Sequence, residues 1–152
     1  IESALEISAT SYRPVADLEK ELAPLPPVTC FIGELGQVFL NLIVNAAQAM
    51  EGQPRGKLSV RSAVDGDHVV VSVADTGGGI PPEIRERIFD PFFTTKEVGR
   101  GTGQGLAIAR SIVVDRHGGS LSFDTAAGQG TTFVIRIPIE GPRPRPAAAA
   151  VA

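Results

Sequence analysis

The sequence predicts a two-layer α/β (α+β) sandwich, in which a mixed, mostly antiparallel sheet carries its helices on one face. The first observation is a pair of β-hairpin patterns, one in each half of the chain. The second is a pair of segments with apolar residues at helical spacing, and each segment precedes one of the hairpins. Neighbouring hairpins give antiparallel pairs, and the helices between them must cover one face of the sheet. A chain of 152 residues suits one domain with a sizeable core.

The first part of the chain carries the weakest pattern. Residues 1–13 show no clear period, and we interpret them as the end of a preceding segment or a linker. Pro14–Leu22 alternates enough to indicate a strand. Three prolines at positions 24, 26 and 27 then break the chain. Val28–Ile32 is a short apolar run that predicts another strand, with Gly33 beginning the turn into the first helix.

The stretch QVFLNLIVNAAQAM, residues Gln37–Met50, predicts the first long helix. Its apolar residues recur at helical spacing and form a broad stripe for the core. Asn41, Asn45 and Gln48 lie at i, i+4 and i+7 along one edge of that stripe. Asn is a poor residue for a helix interior, and a buried amide needs hydrogen-bond partners. We therefore expect a ligand and its metal ion to be those partners.

The middle of the chain predicts a hairpin and then a glycine loop. Lys57–Val64 and His68–Ala74 are β-branched runs joined by Asp65-Gly66-Asp67, which is a strong hairpin signal. Thr76–Pro82 is rich in glycine and predicts a loop. Pro82–Phe89 follows as a short helix, since proline at the first helical position loses no hydrogen bond.

The last third predicts a helix and a second hairpin. Asp90–Gly105 is irregular, and Leu106–His117 is an apolar-periodic helix closed by Gly118-Gly119. The strands of the second hairpin are Ser120–Thr125 and Thr131–Ile137. Residues 142–152 form a Pro/Ala tail, interpreted as disordered. One domain is thus expected over residues 14–141.

Composition excludes several classes of function. The net charge is −3, there is no basic cluster, and the aromatic residues are seven Phe, one Tyr and no Trp, so nucleic acid is not an expected partner. No apolar run is long enough to span a bilayer, and no signal peptide is recognisable. Cys30 is the only cysteine, which fits a reducing compartment. We expect a cytoplasmic domain, which includes the cytoplasmic part of a membrane-anchored protein.

Four segments have compositions that packing alone does not explain. Besides the asparagine edge of the first helix, VVVSVADTGGGI ends a buried strand on a carboxylate, Asp75, next to bare glycine backbone. FDPFFTTK, residues 89–96, places two hydroxyls and a cation after an apolar cluster. GRGTGQGL, residues 99–106, opens into a helix, where successive N–H groups suit a phosphate.

Each segment also has an ordinary structural explanation. The asparagines could bond to neighbouring loops, the DTGGG stretch could be a tight strand exit, and the phenylalanines could be core. GRGTGQGL satisfies neither the Walker pattern nor the dinucleotide fingerprint. The four segments together, in this order, indicate one ligand site.

The four segments resemble the N, G1, F and G2 boxes of the catalytic and ATP-binding domain of sensor histidine kinases. That domain belongs to a superfamily with DNA gyrase, heat-shock chaperone and mismatch-repair ATPases. HGGSL and GQGTTF resemble the strand-opening turns that follow in the family. The resemblance covers about Val15 to Glu140 and implies a Bergerat-type fold with a mobile ATP lid from about Phe89 to Gly103.

The resemblance also implies roles for individual residues. Asn45 would coordinate Mg²⁺, Asn41 and Gln48 would lie beside the triphosphate of ATP, and Asp75 would bond the adenine amino group. Lys96 and Arg100 lie in the lid, and one of them would meet the terminal phosphate. The implied catalytic residues are Asn41, Lys96 and Arg100. The other implied nucleotide-binding residues are Ala49, Gly77, Gly79, Ile80, Thr95, Gly101, Thr102, Gly103, Gln104, Gly105, Leu106 and Thr131.

Two positions depart from relatives of this pattern. Gyrase-like ATPases have a water-activating glutamate four residues before the metal Asn, and Asn41 stands at that place here. An amide cannot act as a base, which favours transfer of the phosphoryl group over hydrolysis. Gln104 stands where the G2 box more often has an apolar residue, and its side chain either adds a phosphate contact or faces solvent.

The resemblance implies a kinase whose acceptor lies outside this chain. In the family, the phosphorylated histidine lies on a separate helical dimerisation domain, within an H-E/D-x-[RN]-x-x-P type of motif, and a response regulator receiver domain is the next partner. Neither His68 nor His117 fits that motif. The alternatives are a gyrase-type ATPase, an anti-sigma-type serine kinase, and a degenerate nucleotide-binding module without catalysis.

Overall fold

Five strands form one open sheet in the computed structural model, which describes residues 1–95 and 103–142. The strands are β1 (Ala16–Leu22), β2 (Gly56–Asp65), β3 (His68–Asp75), β4 (Ser120–Ala126) and β5 (Gly130–Pro138). Their order across the sheet is β1-β2-β3-β5-β4. β1 runs parallel to β2, and the three other pairs are antiparallel. The expected mixed, mostly antiparallel sheet is confirmed.

The helices form the second layer of the sandwich. α1 (Glu2–Ile7) and α2 (Ala9–Tyr12) pack on α3 (Ile32–Ala49), and α3 packs on β2, β3 and β5. α4 (Gly105–Ser111) packs beside α3 and continues as a π-helical turn, Ile112–Arg116, which contacts β4 and β5. No helix in the described ranges is long and apolar enough to cross a membrane.

Strand periodicity decides which side chains reach the core. In β3 every second residue is buried, so Val69, Val71, Val73 and Asp75 point to the helical layer. Opposite them, the α3 stripe includes Leu42, which is fully buried. Each such side chain contributes about 1.5–3 kcal/mol on burial. The same period that buries the three valines carries the Asp75 carboxylate into the interior.

Two predictions for the first third of the chain differ from the structure. Val28–Ile32 is not a strand, so that prediction was wrong. The Thr29 N–H donates to the Ile139 carbonyl at 3.0 Å, but the Phe31 carbonyl already accepts the Leu35 N–H, and α3 begins at Ile32. The prolines just before it have no N–H to give to a ladder. Residues 1–13, which show no sequence period, contain α1 and α2, each too short for a period to be seen.

Two predicted helices have different local geometry. The short helix expected over 82–89 is a 3₁₀ helix, Pro82–Arg87. The helix expected over 106–117 is α-helical only to Ser111, beyond which it widens into the π-helical turn. The predicted glycine C-cap is confirmed: Gly118 has φ +64°, and its N–H donates to the Val114 carbonyl at 3.1 Å.

Candidate functional site

A cavity of about 550 Å³ lies between α3, the end of β3, the start of β5 and the segments before and after residues 96–102. All four segments singled out in the sequence contribute to its lining. The residues expected there that do line it are Asn41, Asn45, Gln48, Ala49, Asp75, Gly79, Ile80, Thr95, Gly103, Gly105, Leu106 and Thr131. The sequence pattern therefore identified most polar positions of one cavity.

The two asparagines on α3 differ in their hydrogen bonding. The Asn41 Nδ2 donates to the carbonyl oxygen of Gly105 at 3.1 Å, and its Oδ1 accepts from Gln37 Nε2 at 2.6 Å. Asn41 thus ties α3 to the beginning of α4. The Asn45 amide, one turn further on, lines the cavity and has no hydrogen-bond partner among the residues described. Its oxygen is the kind of ligand that Mg²⁺ accepts.

A metal ion held here would depend on the ligand for its other contacts. Within the described part of the chain, no group of three His, Cys, Asp or Glu side chains is placed to hold a metal. Mg²⁺ is commonly bound through one or two protein oxygens, several waters and substrate phosphates. The unpartnered Asn45 amide fits that kind of site.

Asp75 is the single carboxylate among the cavity-lining residues, and it is only 7% exposed. Burial raises the pKa of its carboxyl group, and N–H bonds from Gly77 and Thr131 partly oppose that rise. The Gly77 N–H lies 2.8 Å from Asp75 Oδ1. The carboxylate keeps lone pairs for a donor on a ligand, since two backbone donors do not exhaust its acceptor sites.

Glycines bring the backbone after β3 close to its neighbours. A Cβ on Gly77 would lie 2.4 Å from the carbonyl oxygen of Ala49 on α3. Gly79 has φ +75°, and a Cβ there would meet the Ala126 carbonyl at 2.4 Å. Gly77 does not line the cavity, but its N–H holds Asp75. The DTGGG loop is thereby fixed against both α3 and the β4–β5 turn.

The far wall of the cavity comes from the segments on either side of residues 96–102. Phe93, Thr94 and Thr95 line it on one side, with Gly103 and Gly105 on the other. Gly103 has φ +68°, and a Cβ there would clash with the backbone of residue 92. Gln104 is not among the lining residues. Lys96, Arg100, Gly101 and Thr102 lie outside the described residues.

Similarity to known proteins agrees with this geometry. The family model of the histidine kinase-, DNA gyrase B- and HSP90-like ATPases matches residues 32–141. The chain belongs to that family. It is 44% identical over 125 residues to the sensor kinase CckA of Brucella abortus and 41% identical over 122 residues to the sensor histidine kinase ZraS of Escherichia coli K12.

The structure resembles solved histidine kinase catalytic domains. The catalytic domain of histidine kinase ThkA superposes with a TM-score of 0.79 at 33% identity, covering 91% of this chain and 90% of that one. The aligned residues are 74% and 80% of this chain but only 13% and 25% of CckA and ZraS. The chain thus corresponds to the ATP-binding catalytic domain of sensor histidine kinases, as its four boxes indicated.

Sequence reasoning missed the apolar wall of the cavity. Leu40, Val44, Ile84, Ile88 and Phe133 line it together with the polar groups. Leu40 and Val44 gave a usable signal, because they are apolar residues of α3 that stand outside the main core stripe. Phe133 and Ile88 gave none, since their burial is that of ordinary core residues.

Neither histidine lies at the cavity. His117 is fully buried: its Nε2 accepts the Phe31 N–H at 3.0 Å, so its Nδ1 donates to the Ile112 carbonyl at 2.8 Å. His68 begins β3, whereas Asp75 ends it. The two are seven residue steps apart along the strand, or roughly 23 Å at 3.3 Å per residue.

Proposed function

We propose that this chain binds Mg²⁺-ATP in the cavity and donates the γ-phosphoryl group to a histidine on a separate dimerisation domain. The observation that carries the proposal is the joint placement of a buried carboxylate at one side of the cavity and the Asn45 amide and Gly103–Gly105 backbone elsewhere around it. We also propose residues 14–141 as the ATP-binding domain, with residues 1–13 leading into it and 142–152 as a tail.

The base end of the nucleotide would lie at Asp75. An ionised carboxylate accepts a hydrogen bond from an exocyclic amino group, and adenine carries one. The apolar side chains of Ile80, Ile84 and Phe133 supply surface for a flat ring. A related structure supports the ligand class: full-length ShkA, 31% identical with a TM-score of 0.78, was solved in complex with AMPPNP.

The phosphate end would lie at Asn45 and the Gly103–Gly105 backbone. Bound Mg²⁺ would neutralise phosphate charge, and Asn45 is the residue placed to hold it. Phosphoryl transfer requires positioning and charge neutralisation more than covalent help. We propose Gln48 as a neighbour of the triphosphate, and Lys96 or Arg100 as the cation that meets the terminal phosphate.

The acceptor would be a histidine on another domain. Both Asn41 amide groups are engaged, with Gln37 and with Gly105, and an amide has no basic group to activate water. That disfavours a gyrase-type hydrolase. His117 has both ring nitrogens in hydrogen bonds, and His68 lies at the opposite end of β3.

The proposed partners follow from the relatives. ThkA, 31% identical with a TM-score of 0.73, was solved in complex with the response regulator protein TrrA. We propose a response regulator receiver domain as the second partner, after the histidine-bearing dimerisation domain. Because such a reaction consumes ATP, we propose a cytoplasmic location for the domain.

Labelling in trans tests the proposal. The chain is incubated with γ-³²P-labelled ATP and Mg²⁺, alone and with a helical dimerisation domain carrying an H-E/D-x-[RN]-x-x-P type motif. We expect no label on the chain itself and label on the supplied domain. Two controls should leave the supplied domain unlabelled: one uses the Asp75→Asn chain, and the other uses a supplied domain whose histidine is replaced by glutamine. Label on His68 or His117 would contradict the proposal.

A further inference from the structure

The base end of the cavity is held by the connection between β4 and β5, where the GQGTTF segment begins. The β4–β5 turn, together with the last residues of β4 and the first residue of β5, spans Thr125–Gly130 and is bonded to the loop after β3 at two points. The Gly128 N–H donates to the Gly78 carbonyl at 2.8 Å, and the Ile80 N–H donates to Thr125 Oγ1 at 2.9 Å. Gly130, with φ +112°, lies so close to the Asp75 carbonyl that no side chain fits there.

Thr125 is the centre of this contact, although it does not line the cavity. Besides accepting from Ile80, its hydroxyl lies 2.9 Å from Thr131 Oγ1 and 3.2 Å from the Gly130 carbonyl oxygen. Thr131 does line the cavity, and it is only 6% exposed. Thr131 is also the strand partner of Asp75 and donates its N–H to that carboxylate.

Counting protons leaves two arrangements for the hydroxyls of Thr125 and Thr131. A threonine hydroxyl has one proton to donate and two lone pairs to accept with. One Thr125 lone pair is taken by the Ile80 N–H. The single Thr125 proton goes either to the Gly130 carbonyl at 3.2 Å, in which case Thr131 donates to Thr125, or to Thr131 Oγ1 at 2.9 Å. In the second arrangement, which uses the shorter contact, the proton of Thr131 is left to point into the cavity beside Asp75. That edge then offers an acceptor and a donor side by side.

We propose that Thr125 donates to Thr131, and that it is thereby a positioning residue that sets base selectivity by orienting the hydroxyl of Thr131. An acceptor beside a donor matches adenine, whose 6-amino group donates and whose adjacent ring nitrogen N1 accepts. Hypoxanthine presents the reverse pattern, a carbonyl beside an N–H. The inference rests on the proposed nucleotide function and adds a residue that acts on the base through Thr131.

The test compares ADP with IDP, which differ only at this edge of the base. Titration calorimetry with Mg²⁺ gives the ratio of the IDP and ADP dissociation constants for the unaltered chain, Thr125→Val and Thr125→Ser. We expect Thr125→Val to lower the ratio about fivefold, the size expected for one hydrogen bond. Thr125→Ser keeps the hydroxyl and should restore the ratio to within about twofold of the unaltered chain.

A purely structural role for Thr125 gives a different result. Loss of loop packing alone would weaken ADP and IDP together and leave their ratio unchanged, which would overturn the inference. If Thr125→Val does not fold, Thr125→Ala takes its place. Thr131→Val should by itself lower the ratio by the same factor, and an unchanged ratio there would also overturn the inference.

A double substitution tests whether Thr125 acts through Thr131. Since Thr125 acts through Thr131, Thr125→Val should change the ratio no further in a Thr131→Val background. Additive effects of the two substitutions would contradict the positioning role. Failure of the proposed function is distinct: the unaltered chain would then bind neither ADP nor IDP, or Asp75→Asn would leave ADP affinity intact.

Discussion

Asp75 is a carboxylate at a buried position of a β-strand. It occupies the position where the buried face of β3 would take another valine, and it carries a carboxylate instead. A buried carboxyl group is costly unless it is bonded, and here two backbone N–H groups bond it. Those N–H groups belong to Gly77 and to Thr131, the second residue of β5, so the site depends on residues that carry no unusual side chain.

The raised pKa of Asp75 gives a pH prediction. Because the folded-state pKa lies above the ordinary 3.8, the contribution of this group to stability is fully present below pH 3.8 and is lost as the pH rises through the raised value. ADP affinity should change in the opposite direction over the same window, because the ionised carboxylate is the better acceptor.

Difference measurements isolate this effect. Urea denaturation of the chain and of Asp75→Asn across that pH range should give a free-energy difference that varies with pH in the stated direction. Glu19, whose pKa is lowered mainly by Lys57, titrates in both proteins and cancels. A difference that is constant with pH would contradict the burial argument.

At the scale of secondary-structure elements, side-chain contacts join α3 to α4 and the π-helical turn that follows it. His117, at the end of the π-helical turn, accepts the N–H of Phe31, the residue that caps the beginning of α3. Arg116 next to it pairs with Glu34 in the first turn of α3, and its guanidinium stacks over the Phe31 ring at 4.5 Å. At the other end of α4, Asn41 bonds Gly105. The cavity lies at this second junction.

Replacing His117 should weaken the contact between these helical segments and lower the stability of the fold. His117→Leu removes the side-chain partner of the Phe31 N–H and the side-chain donor to the Ile112 carbonyl, and we expect a loss of about 2–4 kcal/mol in the free energy of unfolding. His68→Gln, at a solvent-facing strand end, is the matched control and should change stability by about 0.5 kcal/mol or less. Urea denaturation measures both, and equal effects of the two substitutions would refute the structural role of His117.

At the scale of the whole molecule, periodic patterns predicted the fold well. The hairpins and α3 repeat over enough residues to be read, so the mixed sheet with helices on one face followed from them. The prediction of a strand at Val28–Ile32 was wrong because the apolar pattern is local, whereas a strand also needs the edge of another strand to pair with. The two N-terminal helices were missed because each is held by packing on α3 and not by its own period.

The candidate site was predictable where chemistry is carried by unusual residues. Asn41, Asn45 and Asp75 are costly in their positions, and the structure brings them to one cavity. The apolar wall and Thr125 were not predictable, because a valine, an isoleucine or a threonine in a strand or helix has an ordinary explanation. Only the tertiary contacts distinguish such residues from core and surface.

Titration calorimetry with a non-hydrolysable ATP analogue and Mg²⁺ is the most direct test of the central claim. The unaltered chain should bind with an affinity that falls when Mg²⁺ is removed. Asp75→Asn should abolish binding, because the amide presents a donor to the amino group of the base, and Asn45→Ala should weaken it at least about tenfold, as expected for loss of a contact to charged groups. Unchanged affinity in both variants would contradict the assignment of this cavity as the ATP site.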